Sequence, residues 1–382
     1  MLFDRAQLEE AQRKTLAPYA CFSDATRGRV HPEEESAYRT AFQKDRDRVI
    51  HTTAFRRLEY KTQVFVNYEG DYYRTRLTHT LEVAQVAKSI SRALGLNEDL
   101  TETIALAHDL GHPPFGHAGE SSLDRLAREA GGFDHNKQSL RIVTRLEARY
   151  ADFPGLNLTW ETLEGIMKHE TEYDVPDSDW EPDKRPSLEA QVVNVADELA
   201  YNAHDLDDGL RSGHLSPDQI AGVPVVGELM RHLGMAADGF DSFQRYVLIR
   251  ELLGLMIEDV IRNTDRQLRE AGVSTLEDVR EAPTPLVGSG PELQGKLAEL
   301  KRFLYENLYF HHRLIRMTKK ADMLLERVFE AYRETPEMLP PQVQGGIEER
   351  GVVRAVTDYL AGMTDRFAID EYRRLFDPGW LT

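Results

Sequence analysis

Two histidines and two aspartates in this sequence are spaced as the first shell of a divalent metal would need: His79, the adjacent pair His108 and Asp109, and Asp197. His79 opens one helical stretch and His108-Asp109 closes the next, and a short turn joining them as an antiparallel pair would bring those two ends together. Two imidazoles and a carboxylate converging there are N and O donors, a permissive set that leaves the metal open among Mn, Mg, Fe, Co, Ni and Zn. Asp197 sits among Val192, Val195, Ala196, Leu199 and Ala200. A carboxylate flanked by so much apolar surface is costly to bury alone, and a metal would be its partner. At about 100° per residue, Tyr201 lies roughly 40° and Asp205 roughly 80° around the helix from Asp197, so all three can face one site. Taken singly, each of these residues reads as an ordinary polar group at a helix end or on a surface. Taken together, with a His-Asp pair closing a helix, they read as a metal centre.

Next to it in sequence runs His112-Pro113-Pro114-Phe115-Gly116-His117-Ala118-Gly119-Glu120, too rich in proline and glycine to be anything regular and so expected to be a shaped loop. Two histidines and a glutamate on such a loop, with His135 following after Gly131-Gly132-Phe133-Asp134, suit proton transfer near neutral pH. The competing reading of His117 and His135 is a set of hydrogen bonds that merely stabilise the loop.

The elements that must hold these residues are helical. Leu81, Ala84, Ala87, Ile90 and Leu94 keep one face apolar while Glu82, Gln85, Lys88 and Arg92 take the others. Gly95 stops that helix, and a second is expected after Asn97 with Glu98, Asp99 and Glu102 near its start. Further helices are expected over 120–130, 136–150, 161–172 and 187–209, with room for one small β-hairpin at Gln63–Tyr73. Breaks fall at Thr171–Ser187, Ala282–Pro291 and Thr335–Gly346. The fold class that follows is all-α: an N-terminal arm over 1–44, a catalytic core over 45–212 and a C-terminal helical region over 213–382 packing on that core.

Composition narrows the function classes. A chain of 382 residues with 41% apolar content can bury a large core. Its formal charge of −18 argues against a surface built mainly for nucleic acid or anionic membrane, so an anionic ligand needs a local basic pocket. One such stretch stands out, Lys44–Arg76, with eight basic residues against five acidic. Cys21 is the only cysteine, which excludes an intramolecular disulfide and a cysteine-based zinc site and fits a reducing cytoplasm. Neither a signal-like apolar segment nor a membrane-spanning run is present, so no membrane partner is expected.

RLTHTLEV followed by HDLGHPPFGHAGE, between Arg76 and Glu120, resembles the HD-domain deoxynucleoside triphosphate triphosphohydrolases, in particular the bacterial dGTPase and dGTPase-like proteins. The resemblance extends to FRRLEYKTQVF (Phe55–Phe65), FDHNKQSLRIV (Phe133–Val143), VADELAYNAHDLDDG (Val195–Gly209) and AGMTDRFA (Ala361–Ala368). It implies an HD-domain helical core, His79, His108, Asp109 and Asp197 as metal ligands, and His112, His117, Glu120 and His135 as the catalytic set. It implies further that Arg76 contacts phosphate, that Tyr201 and Asp205 surround the sugar, and that Gln63 approaches the deoxyribose. Where animal members place a phosphate-contacting lysine this sequence has Glu198, and Arg313, Arg316 and Lys319 are candidates to supply the missing charge.

The activity so implied is release of intact triphosphate from a deoxynucleoside, dGTP or several dNTPs. The metal would activate a water and polarise a phosphoryl oxygen, His117 would protonate the leaving 5′ oxygen, and Glu120 and His135 would complete the relay. The family also implies a homo-oligomer with an activating nucleotide at a subunit contact. Two other readings compete: an HD phosphohydrolase of another nucleotide class, and a non-catalytic nucleotide sensor or single-strand nucleic-acid-binding assembly protein.

Overall fold

The computed structural model describes residues 2–63, 74–169, 180–310 and 312–380, the side chain of residue 313 excepted. All but the first position of the expected hairpin, and the first part of the expected break at Thr171–Ser187, lie outside the described residues. Helices take up 68% of the chain and strand 2%, and among the described residues there is no sheet, so the class is all-α. None of the described helices is long and apolar enough to cross a membrane.

The helices that matter for the site are, in chain order, α1 (Arg76–Ala93), α2 (Glu98–Ala107), α3 (Gly116–Leu126), α4 (His135–Arg141), α5 (Trp160–Met167), α6 (Leu188–Arg211), α7 (Ser242–Glu270), α8 (Pro291–Leu304), α9 (His312–Glu334), α10 (Val352–Ala361) and α11 (Asp365–Phe376). They fall into two compact units, each assembled from three stretches. Unit one is Met1–Arg48, Leu81–Leu106 and Asn157–His311; unit two is Val49–Thr80, Ala107–Leu156 and His312–Thr382. The units interleave along the chain, a different partition from the consecutive blocks 1–44, 45–212 and 213–382.

In unit one the buried stripe of α1 is Val83, Val86, Ala87, Ile90 and Leu94, whereas Leu81 is 50% exposed. The Asn97 side chain accepts the Leu100 amide and starts α2, with Glu98 and Asp99 in its first turn where the helix dipole favours acids. The two helices are pinned side by side by a Ser91–Thr101 hydroxyl hydrogen bond of 2.8 Å. Helix α6 buries Val192, Val193, Ala196, Leu199, Ala203 and Leu206 and packs on α7. The first 44 residues are built into this unit, with Ala20, Cys21 and Phe42 buried. Glu189 of α6 holds them there by accepting the backbone amides of Cys21 and Asn97 at 2.9 and 3.0 Å.

Unit two has its core where α3 and α9 meet α10 and α11: Leu123, Phe133, Leu325, Val328, Phe329, Val356 and Leu360 are packed together. Against this frame, the turn after α2 tightens into a 3₁₀ helix, His108–Gly111. Ser139 of α4 grips that turn, its hydroxyl accepting the Gly111 amide at 2.8 Å and donating to the His108 carbonyl at 2.9 Å. The approach is so close that a Cβ on Gly111 would overlap the His135 carbonyl oxygen and the Ser139 amide nitrogen. Backbone cannot yield as a side chain can. Gly111→Ala is therefore expected to destabilise the protein by about 1–3 kcal/mol or more, read as a lowered melting temperature. A melting temperature equal to that of the unaltered protein would show that α4 does not press on this turn.

Candidate functional site

The metal-type residues of unit two are buried together. His79 lies in the first turns of α1, and His108 and Asp109 in the 3₁₀ turn, at 2%, 1% and 3% exposure. The two imidazole rings are 5.9 Å apart, and one donor atom from each of the three residues lies within 4.8 Å of the others. Asp109 is the hub. Its carboxylate is 3.4 Å from His108 Nε2, 3.2 Å from His112 Nε2, and 3.1 Å from Arg76 Nη1 at both oxygens. Two imidazoles and a carboxylate, withdrawn from water and close enough to one another to share one ion, fit a divalent cation.

Arg76 is the fourth member of this cluster. Only 2% exposed, it offsets the Asp109 charge, a pairing that sequence alone did not suggest. Its Nη2 lies 3.4 Å from where a Cβ on Gly116 would stand, so the loop passes close over the guanidinium because it carries no side chain there. The Gln63 carbonyl is at the same distance from that point, and the Gln63 side-chain oxygen is shut off from solvent with no hydrogen-bond partner among the described residues. Such an amide oxygen is costly unless something later bonds to it.

The loop histidines continue from the metal cluster without a break. The His112 ring stacks on His135, centroids 3.8 Å apart, while its Nε2 faces Asp109. Burial, with the neighbouring Arg76 charge, pulls the His112 pKa well below the usual histidine range. Glu120 joins the remaining two. It accepts from the His135 backbone amide at 2.9 Å and meets His135 Nδ1 at 2.8 Å, and its other oxygen is 3.5 Å from His117 Nδ1. Burial pushes the Glu120 carboxyl up, but the charge on His135 and the hydrogen bonds from His117 and His135 outweigh it and hold Glu120 well below the usual carboxylate range. The His117 side chain is 47% exposed, the most open of the four.

The remaining expected residues stand in unit one, on α6. Asp197 Oδ2 is 3.5 Å from His169 Nε2, and His169 Nδ1 meets Asn194 Oδ1 at 2.8 Å. Tyr201 and Asp205 are tied together by Tyr309, whose phenol donates to Asp205 and hydrogen-bonds the Tyr201 hydroxyl. Burial, then the Asp205 charge, pushes the Tyr309 phenol up, so it stays a donor. Glu198 is half exposed and 3.8 Å from Lys301 Nζ of α8. In unit two, the Arg313 side chain lies outside the described residues, and Lys319 is exposed and pairs with Asp322 at 3.1 Å.

Sequence reasoning passed over His169, Tyr309 and Lys61 as individuals. His169 has the same signal as His108, a histidine just beyond a helix end. Tyr309 carried none, because its role depends on a π-helical turn, Tyr305–Tyr309, following α8. The basic stretch Lys44–Arg76 also resolves differently from a phosphate patch. In unit one Lys44 is 3.4 Å from Glu33, Arg46 bonds Asp99 and Glu102, and Arg48 bonds Glu33, so these cations are spent within the fold.

Comparison with known proteins places the chain in a family. Residues 76–202 match the HD domain and residues 287–374 the phosphohydrolase-associated domain. The chain is 53% identical over 375 residues to a deoxyguanosinetriphosphate triphosphohydrolase-like protein of Geobacter sulfurreducens, an alignment covering 97% of each. Proteins of the same description from Thiobacillus denitrificans (50% over 371 residues, 95% of this chain and 97% of the relative) and Parvibaculum lavamentivorans (49% over 387 residues, 96% and 98%) are similar to it as well. The HD domain and the phosphohydrolase-associated region thus occur in one chain whose relatives match it almost end to end, and the chain belongs to the family of HD-domain deoxyguanosinetriphosphate triphosphohydrolase-like proteins.

Proposed function

We propose that this HD phosphohydrolase cleaves deoxynucleoside triphosphates between the α-phosphorus and the 5′ oxygen, giving a deoxynucleoside and inorganic triphosphate. The observation that carries this reading is the unbroken path from Asp109 through His112 to His135, Glu120 and His117, all within unit two. Such a path supports proton delivery beside a metal-type cluster, which is what departure of a 5′ alkoxide requires.

His79, His108 and Asp109 would hold the divalent metal, which when bound supplies Lewis-acid polarisation of a phosphoryl oxygen and makes water a stronger nucleophile. The protein's own residues do the rest. The water oxygen bonds to the α-phosphorus and releases a proton to solvent, while the Pα–O5′ bond breaks and its electron pair leaves with O5′. His117 gives O5′ a proton. With Glu120 against its Nδ1, the proton given is the one on Nε2, and the exposure of the ring lets it be recharged from solvent. Glu120, held as a carboxylate, and His135 keep that ring in place. Buried His112, kept neutral, can accept a hydrogen bond near the phosphate without adding charge. Gln63 offers its unpartnered oxygen to the sugar.

The test is to incubate the purified protein with each dNTP and each NTP plus Mn²⁺ or Mg²⁺ and separate the products by ion exchange. Inorganic triphosphate with free deoxynucleoside is the expected result, and which bases are turned over gives the base preference. Release of pyrophosphate or of single phosphates would replace this reading with a phosphohydrolase of another nucleotide class.

A further inference from the structure

The stretch AGMTDRFA, Ala361–Ala368, carries part of the family resemblance, yet no chemistry above uses it. In unit two it reaches the proton-transfer loop from outside. The Lys61 ammonium donates to the Ala361 carbonyl at 3.0 Å and also to the carbonyl of His112, where the loop begins. Arg57 Nη1 donates to the Gly362 carbonyl at 2.8 Å. The Asp365 carboxylate accepts the Thr62 amide at 3.0 Å and the Thr62 hydroxyl on one oxygen, and the Phe115 amide at 2.9 Å on the other.

Phe115 is where this bonding has consequences. It is the residue before α3, at φ 66° and ψ 23°, and Gly116 follows at φ 58°. A left-handed conformation in a bulky residue costs on the order of 1–3 kcal/mol and persists only where its surroundings enforce it. Two successive left-handed residues set the direction in which α3 leaves the loop, and α3 carries His117 and Glu120 in its first turns. Asp365 holds the amide of the first of them, 250 residues away in sequence.

Stability alone does not call for this arrangement. Lys61 and Asp365 are 2% and 4% exposed, and buried charges can often be replaced by apolar groups without loss of stability. What apolar groups cannot do is fix two backbone groups of a strained loop at set distances. We infer that Asp365 is a positioning residue for the proton-transfer step: with Lys61 at the other end of the loop, it aims His117 at the leaving oxygen. The inference rests on His117 being the general acid.

A substrate pair separates misplaced acid from general damage. A dNTP with sulfur in place of the bridging 5′ oxygen leaves as a thiolate, which has far less need of a proton than an alkoxide. His117→Ala calibrates the assay and is expected to lose turnover of the ordinary dNTP much more than of the sulfur analogue. Asp365→Asn keeps the shape but sets an NH₂ group against one of the two amide donors. It is expected to lower dNTP turnover on the order of 10²-fold, the usual penalty for misplacing a reacting group by about 1 Å, with a much smaller loss on the sulfur analogue and unchanged metal content. Lys61→Met removes the other tie by an apolar side chain of similar length and is expected to show the same selectivity, which keeps the test open if Asp365→Asn does not fold. A parallel fall on both substrates in the positioning variants, with selective rescue by sulfur in His117→Ala, overturns the inference and leaves the function intact. No rescue in His117→Ala itself overturns both the inference and the assignment of His117 as general acid, whereas the products of the unaltered protein still decide the function.

Discussion

Asp109→Ala is expected to strip the protein of its divalent metal and of turnover together, and to lower its stability as well. The first effect follows from the donor set: removing the carboxylate leaves two imidazoles of the three donors that lie within 4.8 Å in unit two. Residues that only orient a metal ligand already cost about 10–100-fold when removed. The loss here should exceed the upper end of that range in affinity for Mn²⁺, measured by titration calorimetry. The second effect follows from Arg76, which is 2% exposed and has its guanidinium 3.1 Å from both Asp109 oxygens. Deleting one partner of a buried ion pair strands the other, at about 3–5 kcal/mol. A double substitution, Arg76→Met with Asp109→Ala, should recover much of that stability while remaining metal-free. If Asp109→Ala binds Mn²⁺ as the unaltered protein does, the cluster is not the metal centre.

The helices around this site were legible because their signals are local. The apolar stripe of α1, the Asn97 cap and the acids after it, and the His-Asp pair at the end of α2 all stand where periodicity and capping rules put them. Leu81, the first member of the expected stripe, is exposed, whereas Ala84, Ala87, Ile90 and Leu94 are buried as expected and are joined by Val83 and Val86. Helix α3 was expected from Glu120 but starts at Gly116, since Phe115, Gly116 and Gly119 read as breakers. What overrides that propensity is the anchoring of Phe115 by Asp365, a contact no window of sequence contains. Helix α4 gives way to a π-helical turn at Ile142–Leu146, and α5 ends at Met167, short of its expected reach. The candidate site divides in the same way. Histidines at helix ends were visible as residue types, but the burial of Lys61, the Arg76–Asp109 pair and the link of Tyr309 to Asp205 depend on separations of 33 to 300 residues and emerge only on folding.

His117→Ala is the counterpart in which metal and chemistry come apart. His117 is half exposed, has Glu120 beside its Nδ1 and the His112 ring centroid 5.7 Å away, and is not one of the three donors His79, His108 and Asp109, so that cluster should stay intact without it. Metal content and melting temperature are therefore expected to remain close to those of the unaltered protein. Turnover is another matter, because a 5′ alkoxide is a poor leaving group and a positioned acid contributes about 10²–10⁴-fold. The fall should appear in kcat, with KM changed little, since the lost interaction forms only as the bond breaks. Glu120→Gln gives the complementary result. It exchanges the carboxylate between His117 and His135 for an amide whose single oxygen cannot accept from both rings, so turnover should fall while metal content stays that of the unaltered protein. A His117→Ala protein that loses metal and activity in equal measure would move His117 from proton donor to structural support of the metal cluster.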